Sequence, residues 1–183
     1  MSYDTVWASA QELLRVWSSA DEAQESMRLT YLSYLAAVPE AMQRDCASGH
    51  LTASALLCDL ERRATLLTLH PRLGRWVQLG GHCESSDDTI IDAALREARE
   101  ESGIDGLIID PTPLQLHTHA LTCSGGVPTH HLDVQFLVTA RPGSVPQISS
   151  ESLDLKWFPF DALPHGNDNS VADLVAAARA RLG

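Results

Sequence analysis

Apolar residues recur at helical spacing near the start of the chain, in one group at Trp7, Leu13, Leu14 and Trp17 and a second at Met27, Leu29, Leu32, Leu35 and Ala36. The spacing predicts two or three short helices before Cys46, in a stretch without glycine. Pro39 suits the first turn of a further short helix, where its missing N–H costs little, and Cys46 to His50 reads as the turn that ends the segment. From Leu51 the pattern shortens to strands. Leu51 to Cys58 and Ala64 to Leu69 flank the charged Asp59 to Arg63 and predict a hairpin. Trp76 to Leu79 leads into a glycine pair, and Thr89 to Ser102 is the best helix in the sequence, with Ile91, Ala94, Leu95 and Ala98 as its apolar face and Gly103 as its stop. Strands follow at Leu114 to Leu121, His131 to Thr139 and Leu153 to Phe158, the first two joined by a turn at Gly125-Gly126. A last helix runs from Val171 to Leu182, capped by Asp168 or Asn169. Strands and helices mixed in this order predict an α/β or α+β sandwich, with residues 1–48 as a helical extension and 49–183 as the main domain.

Charge changes the picture in one place. The 183 residues carry 13 Lys and Arg against 24 Asp and Glu, a net charge of −11, which disfavours direct nucleic-acid binding. Between Gly80 and Asp105, eight acids (Glu84, Asp87, Asp88, Asp92, Glu97, Glu100, Glu101, Asp105) meet only Arg96 and Arg99, so a net of −6 lies in that segment. The four cysteines are widely spaced and read as reduced thiols. The start resembles no secretory signal and no apolar run reaches membrane-spanning length, so a cytoplasmic protein without membrane contact is expected.

Within the acidic segment, Glu97, Glu100 and Glu101 share an arc roughly 100° wide on the helix, beside its apolar face. Three such carboxylates repel one another at neutral pH. A hard divalent cation relieves that repulsion, and oxygen ligands point to Mg2+ or Mn2+. Arg96 can orient the same carboxylates. Upstream, Leu79-Gly80-Gly81-His82 is a strand-to-loop turn whose missing side chains admit a metal or a phosphate. The combination points to diphosphate chemistry.

The order of these residues resembles the Nudix box, G-x5-E-x7-R-E-U-x-E-E-x-G-U, through Gly80-Gly81 and Arg96-Glu97-Ala98-Arg99-Glu100-Glu101-Ser102-Gly103-Ile104. The first half departs from the box. Asp87 or Asp88 stands where the box has Glu, with one residue inserted, and either aspartate is equally a candidate N-cap. Strand-like segments from Leu51, Gly74, His131 and Glu151 extend the resemblance to about residues 50–182. The resemblance implies an α/β/α sandwich around a mixed sheet. It also implies cleavage of the diphosphate in a nucleoside diphosphate linked to another group.

On that reading, Glu97, Glu100 and Glu101, with the Gly80 carbonyl, hold the metal. Glu100, Glu101 or Glu151 takes a proton from water and Arg96 supports the cluster. Gly81, His82 and Trp76 are candidates for substrate contact, with core packing the competing role for Trp76. His117, His119, His130, His131 and Cys123 are weighed as a zinc set against simple cleft or hydrogen-bonding roles. Cys83 beside His82 brings in isopentenyl diphosphate isomerases as a lesser alternative, and a non-catalytic nucleotide-sensing module is the reading from another class. The expected partner is a small nucleotide derivative, and the N-terminal helices are candidates for a homodimer contact.

Overall fold

The computed structural model describes residues 2–122, 128–166 and 169–183. Two helices, α1 (Asp4–Val16) and α2 (Glu22–Ala37), precede β1 (His50–Asp59), β2 (Ala64–His70), β3 (Arg75–Val77) and β4 (Leu79–His82). Helix α3 (Ile90–Ser102) follows, then β5 (Ile108–Ile109), β6 (Gln115–Thr122), β7 (Pro128–Thr139), β8 (Asp154–Pro159) and α4 (Asn169–Leu182). This is the expected mixed α+β architecture. The further helix expected at Pro39 does not form: successive turns occupy residues 39–48, and the Leu51 N–H donates to the Ala41 carbonyl, tying them to β1. The Gly125-Gly126 turn, Cys123 and Asp168 lie outside the described residues, and Asn169 is the first residue of α4.

Strand β1 organises the sheet. Its first half pairs antiparallel with β4 and its end pairs antiparallel with β2, while β7 runs parallel to it from His50↔His131 to Cys58↔Thr139. On the far side of β7 lie β6 and the two-residue β5; β8 and β3 pair with β2. All of β1 is buried, so its alternation separates two environments rather than core from solvent. Leu51, Ala53, Ala55 and Leu57 face α3 and the N-terminal helices, while Leu56 and Cys58 pack beneath α4 with Val171, Leu174 and Val175.

The N-terminal helices join the domain core. Val6, Ala10, Leu14, Tyr31 and Leu35 form one cluster with Ala53, Val134, Phe136 and the first turns of α3. Polar contacts fix this docking. Gln24 bonds both ways with the backbone of Leu116, at 2.7 and 3.1 Å, which satisfies outward groups of β6. The Tyr31 hydroxyl donates to the His117 carbonyl at 2.8 Å. Ser9 accepts the Ile90 N–H at 2.9 Å, satisfying an otherwise orphaned donor at the start of α3. Among the described residues, no helix is long and apolar enough to cross a membrane.

Candidate functional site

Helix α3 forms where its signals place it. Thr89 is the N-cap: its hydroxyl oxygen accepts from the Asp92 N–H at 3.0 Å and its O–H donates to the Asp92 carboxylate at 2.6 Å. Gly103 closes the helix in the left-handed conformation, φ 64°. Neither Asp87 nor Asp88 is the cap. Asp87 instead turns back under the loop, buried, and its two oxygens accept from Arg96 Nε at 3.0 Å and Nη2 at 3.1 Å. The inserted residue is absorbed in the loop, and the Glu84 N–H donates to Asp87 at 2.7 Å. Of the two aspartates it is therefore Asp87 that meets Arg96, and Asp88 is exposed.

The apolar face is rotated from the expected one. Ile90, Ala93, Ala94 and Ala98 are buried, while Ile91 and Leu95 are only partly covered. The rotation carries Glu101 into the interface, 9% exposed, which corrects the placement of all three glutamates beside that face. The packed side is centred on small alanines, so α3 approaches the sheet closely enough to bring Glu101 to β4. The Gly80 N–H donates to Glu101 Oε2 at 3.0 Å. Burial pushes the Glu101 carboxyl up to about 8; the Gly80 bond opposes this, and the charges of Glu97, Glu151 and Glu100 add to it. Burial also raises Glu97, against the pull of Arg96.

Arg96 gathers the rest. Its Nη1 lies 3.1 Å from both Glu97 Oε1 and Glu100 Oε2, and its Nη2 donates to the His82 carbonyl at 2.9 Å. Burial disfavours its charge, but Asp87 and Glu97 outweigh that and hold the guanidinium firmly protonated. Both glycines serve close approach. A Cβ on Gly80 (φ +144°) would lie 2.6 Å from Ser54 Cα, and one on Gly81 would lie 2.7 Å from Glu97 Oε1.

This geometry fits a hard cation. Buried carboxylates with raised pKa values are short of positive charge, all donor atoms are oxygen, and the absent Gly81 side chain leaves room for the Glu97 carboxylate. Glu151, in the exposed stretch before β8, stands close enough for its charge to act on Glu97 and Glu101. Trp76 packs edge-on against Phe158 in the layer beneath α4, with Lys156 Nζ 5.7 Å from its ring centre. Cys83 is buried in apolar surroundings that push its thiol well up, so it is held protonated and is a poor nucleophile. Cys46, Cys58 and Cys83 are free.

Two groups lie outside the sequence expectation. On the side of the sheet opposite α3, Asp133 is buried and accepts from Thr52, Ser54 and Gln135, each at 2.9 Å. The alternation of His131, Asp133 and Gln135 with Leu132, Val134 and Phe136 is the sequence signal for that polar face. The second group is histidine. His131 lies not with its neighbour His130, which points to the other face and is exposed, but against His50 and His82, with ring centres 4.8 and 5.1 Å away. His117 and His119 stack on each other at 5.6 Å, and His119 meets His131 at 5.0 Å. The zinc set weighed from neighbouring positions is therefore rearranged, and its Cys123 lies outside the described residues.

The sequence matches the NUDIX domain over residues 49–178. Comparison with curated proteins finds no match. Among solved structures, a Nudix-family hydrolase from Clostridium perfringens aligns with TM-score 0.58 at 23% identity, over 73% of this chain and 98% of that one. An Ap4A hydrolase from C. elegans aligns with TM-score 0.56 at 23% identity, over 72% and 96%. The NUDIX domain of Shewanella oneidensis NrtR, solved with ADP ribose, aligns with TM-score 0.53 at 23% identity, over 82% and 97%. These likenesses share the fold, and the domain match includes the Gly80-Gly81 turn and the whole of α3; the chain belongs to the Nudix hydrolase family.

Proposed function

We propose that this chain is a magnesium-dependent pyrophosphohydrolase acting on a nucleoside diphosphate linked to another moiety, with residues 49–183 as the catalytic domain and 1–48 as an extension that braces it. The observation that carries the reading is the carboxylate cluster of α3, Glu97 and Glu100 on Arg96 and Glu101 on the Gly80 N–H, two of its carboxyls raised by burial, against a glycine turn that keeps side chains out of the way. Glu97, Glu100 and Glu101 would hold Mg2+ or Mn2+, together with the Gly80 carbonyl. Bound there, the ion would supply Lewis-acid stabilisation of charge on the diphosphate oxygens.

The protein's own residues do the rest. Arg96, locked by Asp87 and the His82 carbonyl, fixes the directions of Glu97 and Glu100. Of Glu101, which is tied to the Gly80 N–H, Glu100 and Glu151, the carboxylate that the metal does not fully engage takes the proton from water. Gly81 and the backbone of His82 line the turn beside the carboxylates and are assigned to substrate contact, while the His82 ring turns to the other face of the sheet. Trp76 is assigned the weaker share of that role, since its ring packs on Phe158.

The test is a product-release screen over nucleoside triphosphates, ADP-ribose, dinucleoside polyphosphates and nucleotide sugars, with magnesium, manganese or no metal. Metal-dependent turnover of at least one class is expected. Binding across the panel without turnover would replace the enzyme by a sensing module, and an isomerised isoprenoid product without nucleotide turnover would replace it by an isomerase.

A further inference from the structure

His50 begins β1, His131 stands directly opposite it on parallel β7, and His82 ends β4 opposite Thr52, two residues along β1 from His50. Side chains two apart on a strand, and those paired across strands, share a face. Three imidazoles from three adjacent strands are thereby stacked at one end of the polar face, on the side of the sheet away from α3. One nitrogen of each ring lies within 4.8 Å of the others.

Nε2 of all three rings is buried and has no hydrogen-bond partner within the described residues. Native proteins seldom leave one such atom unpaired, and three in one cluster call for a ligand that satisfies all of them. The His50 Nδ1 faces the Cys46 carbonyl at 3.4 Å; a proton held there leaves Nε2 as a lone pair, the tautomer that binds metal. From the preceding turns, the charge of Arg44 acts on all three rings and that of Asp45 on His50.

We propose that His50, His82 and His131 bind a transition-metal ion of the zinc class, at a site separate from the carboxylates of α3. All-imidazole ligation suits zinc, copper or nickel and discriminates against magnesium, so the two sites sort metals by ligand chemistry. A triangle with 4.8 Å sides has its centre about 2.8 Å from each corner, so the rings close by roughly 0.7 Å to reach a Zn–N bond of about 2.1 Å. Three protein ligands leave one tetrahedral position for water or an anion. The His82 carbonyl that Arg96 holds links the two sites through a single residue.

The test is titration of untagged, chelator-treated protein with Co2+, then Zn2+, in excess Mg2+. One equivalent of cobalt with the strong visible bands of tetrahedral coordination is expected, displaced by zinc. His131→Ala and His50→Ala should each weaken binding more than about tenfold, and Glu97→Gln should leave it unchanged. Far-UV circular dichroism checks folding, and His131→Asn replaces any alanine variant that fails to fold. Absence of the cobalt bands in the wild-type protein, their persistence in the histidine variants, or their loss in Glu97→Gln overturns the proposal. The readout is metal binding alone, so it stands apart from the outcome of the hydrolysis screen.

Discussion

Gly80 and Gly81 are neighbours in one turn, yet alanine at each should fail in a different way. Gly81 is outside the left-handed region, so its backbone accepts alanine. The new Cβ would lie 2.7 Å from Glu97 Oε1 and 2.9 Å from its Cδ, where ordinary contact begins at 3.4 Å. The carboxylate must therefore retreat by about 0.7 Å, a movement that a flexible side chain absorbs for roughly 1 kcal/mol. Folding should barely change. A displacement approaching 1 Å at a reacting centre costs up to about a hundredfold in rate, so Gly81→Ala should lower kcat/KM by tenfold to a hundredfold and weaken Mg2+ activation.

At Gly80 the Cβ would meet Ser54 Cα at 2.6 Å and the Ala53 carbonyl at 2.7 Å, with φ at +144°. Those are backbone atoms of the central strand. Gly80→Ala should cost about 3 kcal/mol or more, from overpacking and strain together. Urea unfolding read beside initial rates separates the two effects. A Gly81→Ala protein with wild-type kcat/KM and wild-type magnesium dependence would show that the position of Glu97 does not matter to turnover, and would refute the reasoning.

Three further outcomes follow from the same geometry. Asp87→Asn removes a buried carboxylate that accepts two Arg96 bonds, and urea unfolding should show a loss of about 2–3 kcal/mol, while exposed Asp88→Asn should stay within about 0.5 kcal/mol. Thr89→Ala should cost about 1 kcal/mol through the lost N-cap. For metal-free protein in chelator, Glu101 binds its proton more tightly folded than unfolded, with a value raised from 4.5 to about 8. Its contribution is then fully present below about pH 4.5 and is lost as pH rises toward 8. Thermal unfolding across that window should show wild-type stability falling relative to Glu101→Gln; parallel curves would contradict the buried placement of Glu101.

Helix α3 was legible because its signals are local: helical apolar spacing, Thr89 before it and Gly103 after it. The carboxylate cluster followed, since residues three and four apart on a helix are neighbours whatever surrounds them. The rotation of its buried face was not legible. Ile91 and Leu95 are more hydrophobic than Ala93 and Ala94, but alanine permits the close helix-to-sheet contact, and packing distance overrode side-chain hydrophobicity. The part played by Asp87 needed the loop's path, which an insertion makes ambiguous in sequence. The histidine cluster depends on parallel pairing of β1 with β7, a long-range register that no local pattern encodes, so grouping histidines by sequence neighbours put His130 beside His131 when the pleat sends them to opposite faces.

Hydrolysis through the α3 carboxylates is the activity proposed for this chain. Its most direct test is the initial rate on the best substrate from the release screen, with and without Mg2+, for wild type and for Glu97→Gln, Glu100→Gln and Glu101→Gln. Turnover that requires the metal, and that falls at least about tenfold in each variant, is the predicted result. Near-normal metal-dependent activity in all three would contradict it.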